Sequence, residues 1–297
     1  MKILITGASG FLGKVIYRSL GRNEIQRLGR SEKSEIRCDF SEEVPVLPDF
    51  NLVIHCAGLA HRVPKTQRES RAFFNVNVQG TKNLLDALEK SPFLPKFFVF
   101  ISSVAVYGKQ EGELINEEQP LLGIDPYGLS KIQAEKIVYD WCEKHKIICT
   151  IFRLPLVAGP NPPGNLNAMI KGIKNGYYFN IISGKARKSI VLAEDVARII
   201  PEASKIGGIY NLTDSYHPTF LELSVNIADQ LSRSKPLTIP YTLAKLMAIL
   251  GDLIGDRSPI NSDKLRKIVS NLTFDDSKAR KLLGWNPTLV LKGFKIK

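Results

Sequence analysis

The chain has 297 residues, 44% hydrophobic and 24% charged, a balance that fits a globular protein with a substantial core and excludes a disordered or fibrous chain. Its 41 basic residues exceed its 29 acidic ones for a net charge of +12, but they are scattered without interleaved aromatics, which argues against a nucleic-acid partner and for attraction of phosphorylated small molecules. Four cysteines without CxxC spacing and four histidines without ligand spacing point away from a metal site, and to reduced thiols in a cytoplasmic protein.

The N-terminus reads as a buried strand at 2–6 and not as a signal peptide. It runs directly into Thr6-Gly7-Ala8-Ser9-Gly10-Phe11-Leu12-Gly13 and a helix at 11–20. Glycines at a strand-to-helix junction have separate duties: a tight turn, close backbone approach to a pyrophosphate, and close helix packing. The phosphates then sit on the free N–H groups at the positive end of the helix. Gly7, Ser9, Gly10, Phe11, Leu12 and Gly13 are therefore candidate dinucleotide-binding residues.

Further apolar runs at 25–28, 35–38, 52–56, 97–102 and 147–153 read as strands buried on both faces. Helical stretches at 68–89 and 126–145 lie between them, the alternation of a parallel sheet covered by helices. After the second strand comes Arg30, where a carboxylate for an unmodified ribose would be expected. Arg30 could pair with a 2′-phosphate, favouring NADP over NAD, or could be a solvated arginine in a turn. Ser102-Ser103 closes the strand at 97–102, at the edge where doubly wound sheets place ligands.

Asp125-Pro126 is a good helix start, and it puts Tyr127 and Lys131 one turn apart on one face. A tyrosine with a pKa of about 10 is roughly a thousandth ionised at neutral pH, a deficit of about 4 kcal/mol. A nearby ammonium recovers part of it, and the pair can then act as a general base. Beyond Gly159-Pro160-Asn161-Pro162-Pro163-Gly164 the texture changes to a helix near 166–175, strands near 178–182 and 189–192, and several short helices. The apolar stretch 237–254 is interrupted by Pro240, Lys245 and Asp252. It falls short of the roughly 18 consecutive apolar residues of a membrane span and reads as an amphipathic surface or core helix, with interfacial contact the lesser alternative. The expectation is an α/β Rossmann-type doubly wound sheet at 1–160 with a smaller α+β substrate lobe at 161–297, some later elements packing back on the first domain.

The GxxGxxG turn, Ser102-Ser103-Val104-Ala105-Val106-Tyr107-Gly108 and Tyr127/Lys131 together resemble the extended short-chain dehydrogenase/reductase superfamily, in its NAD-dependent epimerase/dehydratase branch. Asn77-Val78-Gln79-Gly80-Thr81 and Asp276 through Leu283-Gly284-Trp285-Asn286-Pro287 are similar to further motifs of that branch. The resemblance implies that Asp39 and Phe40 lie by the adenine, and that Cys56, Ala57 and Gly58 line the cofactor. It also implies that Pro155 and Val157 back the nicotinamide and that Ser103 holds the reacting oxygen. Arg187-Lys188-Ser189 is similar to the segment whose basic residue grips a nucleotide diphosphate; Lys188 holds that place with Arg187 beside it, a point charge in place of a bidentate fork.

The implied activity is a nucleotide-sugar 4-epimerase, with an NADPH-dependent 4-keto-6-deoxy-sugar reductase as the alternative and a non-catalytic NADP(H) sensor or scaffold as the second. Val104-Ala105 stands where dehydratases of the family carry an acid pair, which argues against dehydration. A homodimer through the helices at 68–89 and 126–145 is also implied.

Overall fold

The computed structural model describes residues 1–297 except Arg22, Ile182, Ser183, 255–259 and Lys297, and every side chain among them but that of Ile254. Strand β1 (Lys2–Thr6) leads into helix α1 (Phe11–Ser19), followed by β2 (Glu24–Gly29), β3 (Ile36–Arg37) and β4 (Leu52–His55). The expected single helix at 68–89 is α2 (Gln67–Phe74) and α3 (Gly80–Glu89), joined by a π-helical turn at Asn75–Gln79. Next come β5 (Phe97–Ser103), a 3₁₀ turn at Val104–Tyr107, β6 (Gly112–Ile115), α4 (Pro126–His145) and β7 (Ile148–Leu154).

The later chain contributes β8 (Leu156–Ala158), α5 (Gly164–Lys174), β9 (Asn180–Ile181), β10 (Ile190–Leu192), α6 (Ala193–Ile206) and β11 (Gly208–Asn211). It ends with α7 (Phe220–Gln230), β12 (Thr238–Ile239), α8 (Tyr241–Ile254), α9 (Ser262–Val269), β13 (Leu272–Phe274), α10 (Ser277–Leu283) and α11 (Val290–Gly293). Ile182, the last residue of the strand expected at 178–182, lies outside the described residues.

Seven strands pair in parallel in the order β3-β2-β1-β4-β5-β7-β11. Side chains alternate across a strand, so each apolar run feeds two cores. Ile3, Ile5, Leu52, Ile54, Val99 and Ile101 face α1 and α6, whereas Leu4, Val53, Phe98 and Phe100 face α3 and α4. The order reverses between β1 and β4, the switch point at which doubly wound sheets open a crevice beyond their carboxyl ends.

The chain crosses between layers more than once. Strand β11 forms the outer edge of the sheet, and Ala197, Ile200, Ala279 and Trp285 fill the same core as Ile3 and Ile5. Trp285 Nε1 donates to the Thr213 carbonyl at 3.0 Å, which pins the tail to this layer. A further core of Ala158, Leu166, Ile173, Ile190, Leu223, Ile227 and Phe294 lies among β8, β10, α5, α7 and α11. α6, β11 and α10, all after residue 160, return to the sheet.

A buried polar chain ties these layers under the sheet edge. Ser102 donates to Glu135 at 2.5 Å, and Glu135 pairs with Arg153 at 2.8 Å, both side chains about 5% exposed or less. Arg153 donates to the Tyr107 hydroxyl at 3.1 Å, Tyr107 donates to Asn211 at 2.8 Å, and Asn211 donates to the Ile115 carbonyl at 3.0 Å. Breaking such a pair from one side strands a buried charge, which costs about 3–5 kcal/mol. Glu135→Ala is therefore expected to lower the unfolding free energy by that amount in urea titrations, and Glu135→Gln by less; an unchanged midpoint for Glu135→Ala would refute the assigned role.

Candidate active site

The glycine turn divides its duties as the spacing suggests. Gly7 has φ of +70°, and a Cβ there would lie 2.6 Å from the Ala57 nitrogen, so only glycine lets the ends of β1 and β4 meet. A Cβ on Gly13 would lie 2.1 Å from the Gly7 carbonyl oxygen, so Gly13 lets α1 pack against the turn. Gly10 is different: its Cβ would meet nothing closer than 3.2 Å, and the residue is exposed. A Cβ at Gly10 would press only on the Gly7 carbonyl oxygen, which a shift of a few tenths of an ångström relieves, and the exposed face is left clear for a ligand. Gly10 caps α1 without a side-chain bond, so the first N–H groups of the helix are open to an anion. Exposed Ser9 and half-buried Phe11 and Leu12 surround this opening, and a Cβ on Gly159 would come 3.2 Å from the Phe11 ring.

His55 locks the two strand ends together. Thr81 donates its hydroxyl proton to the Asn77 carbonyl at 2.6 Å, so its oxygen accepts from His55 Nε2 at 2.9 Å. His55 Nδ1 is then the acceptor for Thr6 at 2.7 Å, and Thr6 in turn accepts the Ala57 N–H at 3.1 Å. Burial and then the Lys131 charge push the His55 pKa down to about 3, so the ring is a neutral structural tie.

Beyond β2, Arg30 is well exposed and reaches Asp39 at 3.5 Å. Burial raises the Asp39 pKa, but hydrogen bonds from Ser41 and the Arg30 charge outweigh it and leave the carboxyl below its ordinary value. Phe40 sends its ring into the core beside Gly80, and its carbonyl accepts from Asn83 at 2.9 Å, so only its backbone is offered to a ligand. Cys56 and Ala57 follow β4; burial pushes the Cys56 thiol up to about 12, opposed by the Lys131 charge. Pro155 and Val157 are half-buried where β7 passes into β8.

Asp125 caps α4, accepting from the Tyr127 and Gly128 N–H groups at 3.1 Å each, with Pro126 in the first turn. This sets Tyr127 and Lys131 one turn apart at the carboxyl end of the sheet. Ser103 is the last residue of β5, one residue longer than expected; its hydroxyl accepts the Ala105 N–H at 3.2 Å and lies close enough to the Tyr127 phenol to act on its pKa. Burial holds the Tyr127 pKa above its ordinary value, and the Ser103 hydroxyl opposes the shift. The ammonium of Lys131 does not act on the phenol here as the spacing led one to expect. It donates to the Ile101 carbonyl at 2.8 Å and sits 4.6 Å over the Phe100 ring. Burial, partly offset by Cys56 and Glu135, brings its pKa down to about 8.

Asn77 was missed as a site residue in the sequence, although it stands in a quoted motif. From the π turn it accepts from the Leu59 N–H at 2.7 Å and donates to Ser130 at 2.9 Å. A Cβ on Gly58 would lie 3.1 Å from Asn77 Oδ1 and 3.4 Å from Lys131 Nζ, so Gly58, Asn77 and Lys131 meet. The available signal was a polar, helix-averse residue inside an apolar helical pattern, and π turns gather at functional sites.

Of the two basic residues after β9, Arg187 is already engaged, donating to the His217 carbonyl at 3.0 Å and lying over the Tyr216 ring. Lys188 is half-buried over Phe220 with no ion pair among the described residues, and burial lowers its pKa to about 8. An anion beside Lys188 would relieve that burden.

Two predictions follow from this geometry. Gly10→Ala should keep the melting temperature but weaken dinucleotide binding at least about tenfold by calorimetry, whereas Gly13→Ala should cost about 1–3 kcal/mol or more of stability; equal effects would refute the division of duties. The fall of the Lys131 pKa from 10.5 to about 8 corresponds to about 3 kcal/mol against the charged form in the folded protein. That burden is complete below pH 8 and lifts as pH rises to 10.5, so stability gains over this window. Lys131→Met should therefore stabilise the cofactor-free protein at pH 7 and flatten the rise between pH 8 and 10.5; an unchanged pH profile of unfolding would overturn this.

The model of the NAD dependent epimerase/dehydratase family matches residues 3–212. The N-acetyl-alpha-D-glucosaminyl-diphospho-ditrans,octacis-undecaprenol 4-epimerase of Escherichia coli O157:H7 is 27% identical, over 93% of this chain and 88% of that protein. The UDP-glucose 4-epimerase of Vibrio cholerae is also 27% identical, over 99% of this chain and 93% of its own length. Among solved structures, the UDP-glucose 4-epimerase of Thermotoga maritima with UDP-glucose superposes with a TM-score of 0.73 at 20% identity, covering 97% of this chain and 94% of that one.

Proposed function

This chain belongs to the NAD dependent epimerase/dehydratase family, and from that premise we propose that it is a 4-epimerase of a nucleotide-diphosphate sugar. The observation that carries the reading is the Ser103 hydroxyl beside the Tyr127 phenol, with Lys131 against Gly58 and the open helix end at Gly10 on the same edge of the sheet. A bound nicotinamide supplies acceptance and return of the C4 hydride. Gly10 and the first N–H groups of α1 would hold its pyrophosphate, Cys56, Ala57 and Gly58 would line its path, and Pro155 and Val157 would back the ring.

Tyr127 takes the proton of the sugar 4-hydroxyl as hydride departs and gives it back when hydride returns to the other face. Ser103, whose hydroxyl stands beside the phenol, holds the same oxygen. Lys131 would bind the nicotinamide ribose and bring its charge to the phenolate side of the site. Lys188 would take the substrate diphosphate, and Arg187 steadies the 216–217 loop beside it. The E. coli and Vibrio relatives carry different groups beyond that diphosphate, a polyprenol in one and uridine in the other.

Arg30 favours a second reading, an NADPH-dependent 4-keto-sugar reductase. It is exposed at the end of β2 and held only by a 3.5 Å contact with Asp39, which leaves its guanidinium for a 2′-phosphate. Dehydration lacks its acid pair, since Val104 and Ala105 form the 3₁₀ turn after Ser103. The four free cysteines suit a reducing cytoplasm, and Leu129 and Tyr139, exposed on α4, offer a homodimer contact. Incubation with UDP-glucose, UDP-GlcNAc or a UDP-4-keto-6-deoxy sugar, with and without NADPH, separates the readings. Epimer formation without net cofactor loss is expected; stoichiometric NADPH oxidation would instead establish the reductase. Tyr127→Phe should lower kcat about 10²–10⁴-fold with dinucleotide affinity unchanged, and near-normal turnover would remove Tyr127 from its role.

A further inference from the structure

Helix α8 is built the wrong way round for a soluble helix. Among its described side chains only Ala244, Ala248 and Gly251 are buried, the two alanines against Leu265 of α9, while the described large aliphatics face out. At 100° per residue Leu246, Leu250 and Leu253 form the ridge opposite the packed side, with Leu253 84% exposed. Leu243, Met247 and Ile249 widen the ridge, and Lys245 and Asp252 keep to one flank. An outward apolar stripe of this width marks a surface that something covers.

The patch continues beyond the helix. Strand β12 pairs with β9, and Asn180 donates to the Leu237 carbonyl at 2.8 Å, so 72%-exposed Leu237 lies beside exposed Phe179. Next to them is a cleft of about 530 Å³ lined by Lys174, Arg233 and Lys235 together with Tyr178, Phe179 and Leu237. No acidic residue lines this cleft among the described residues. Arg266 and Lys267 are exposed on α9, packed beside α8. Of the residues from 233 to 267, seven are basic and three acidic.

We propose that α8 and the Lys174–Arg233–Lys235 cleft dock the protein onto an anionic membrane surface, the leucine ridge entering the acyl boundary and the cleft receiving a lipid headgroup phosphate. The local charge is the reason for choosing a bilayer over a second copy of the chain: the basic rim of Lys174, Arg233 and Lys235 beside the ridge repels the same rim on another copy and attracts an anionic surface. The length fixes how the helix sits. Fourteen residues rise about 21 Å, short of the roughly 30 Å hydrocarbon layer, and no described helix is long and apolar enough to cross a membrane. The helix therefore lies in the interface plane, where apolar burial and headgroup attraction add. This docking is independent of the sugar chemistry proposed above.

The test is flotation of the full chain with phosphatidylcholine vesicles, with and without phosphatidylglycerol. Binding to the anionic vesicles is expected, at least about tenfold stronger than to the neutral ones and weakened by salt. The combined variant Leu246→Ser, Leu250→Ser, Leu253→Ser should lose at least about tenfold in vesicle binding with an unchanged melting temperature and an unchanged mass by light scattering. Lys174→Gln with Arg233→Gln and Lys235→Gln should lose the preference for anionic lipid. Failure of the wild type to float overturns the proposal. So does a leucine variant that floats normally, or one that falls from dimer to monomer, which would assign the ridge to a second copy.

Discussion

The contact of Gly7 with Ala57 is the constraint from which the rest of the site is built. It exists because glycine at +70° has no Cβ to strike the Ala57 nitrogen, and it brings the carboxyl ends of β1 and β4 together at the point where the strand order reverses. Thr6, His55 and Thr81 then hold that junction with hydrogen bonds running from strand to strand to helix. The next residue along, Gly58, receives Asn77 and Lys131. A bulkier residue at 7 would push the β4 end outward and separate the turn that offers N–H groups from the helix that offers a phenol and an ammonium.

The legible parts were those that need only neighbours in sequence. The glycine turn, the Asp125-Pro126 start and the four-residue step from Tyr127 to Lys131 are local statements, and the alternation Ile3-Leu4-Ile5 says both faces are covered. The illegible parts depend on distant partners. β11 is four residues long and looks like any short apolar run until β7 pairs with it. Glu135 reads as one more surface charge of an amphipathic helix until Ser102 and Arg153 close on it. Tyr107 and Asn211 are 104 residues apart. The direction of Lys131 was also beyond reach, because spacing sets which face a side chain leaves from, and the Ile101 carbonyl sets where it ends.

Two ammoniums, buried Lys131 and half-buried Lys188, stand out among the candidate residues, and burial brings both to about 8. Neither has an ion pair among the described residues, while Glu135, the carboxylate nearest in sequence to Lys131, is held by Arg153. A folded chain that leaves two cations uncompensated at neutral pH gives up stability it could recover with an aliphatic side chain. On the function proposed above, the compensating charge arrives with a ligand diphosphate at Lys188 and forms during turnover at Lys131 as the Tyr127 phenolate. Each new anion then favours the protonated form.

The same reasoning separates α8 from the helices around the sheet. In α3 and α4 the large side chains Leu84, Leu88, Val138 and Trp141 point inward, and apart from Lys131 and Glu135 the charges point outward, as solvent demands. In α8 the inward positions went to Ala244, Ala248 and Gly251, which gain little from burial, and the leucines were left outside. Folding alone gives little return on that arrangement: among the described residues the buried face of the helix is two methyl groups and a glycine, with Asp252 bonded to Ser262 beside it, and exposed leucines favour aggregation. A surface that takes up the ridge resolves both problems at once, by burying the leucines and by fixing the helix from its other side.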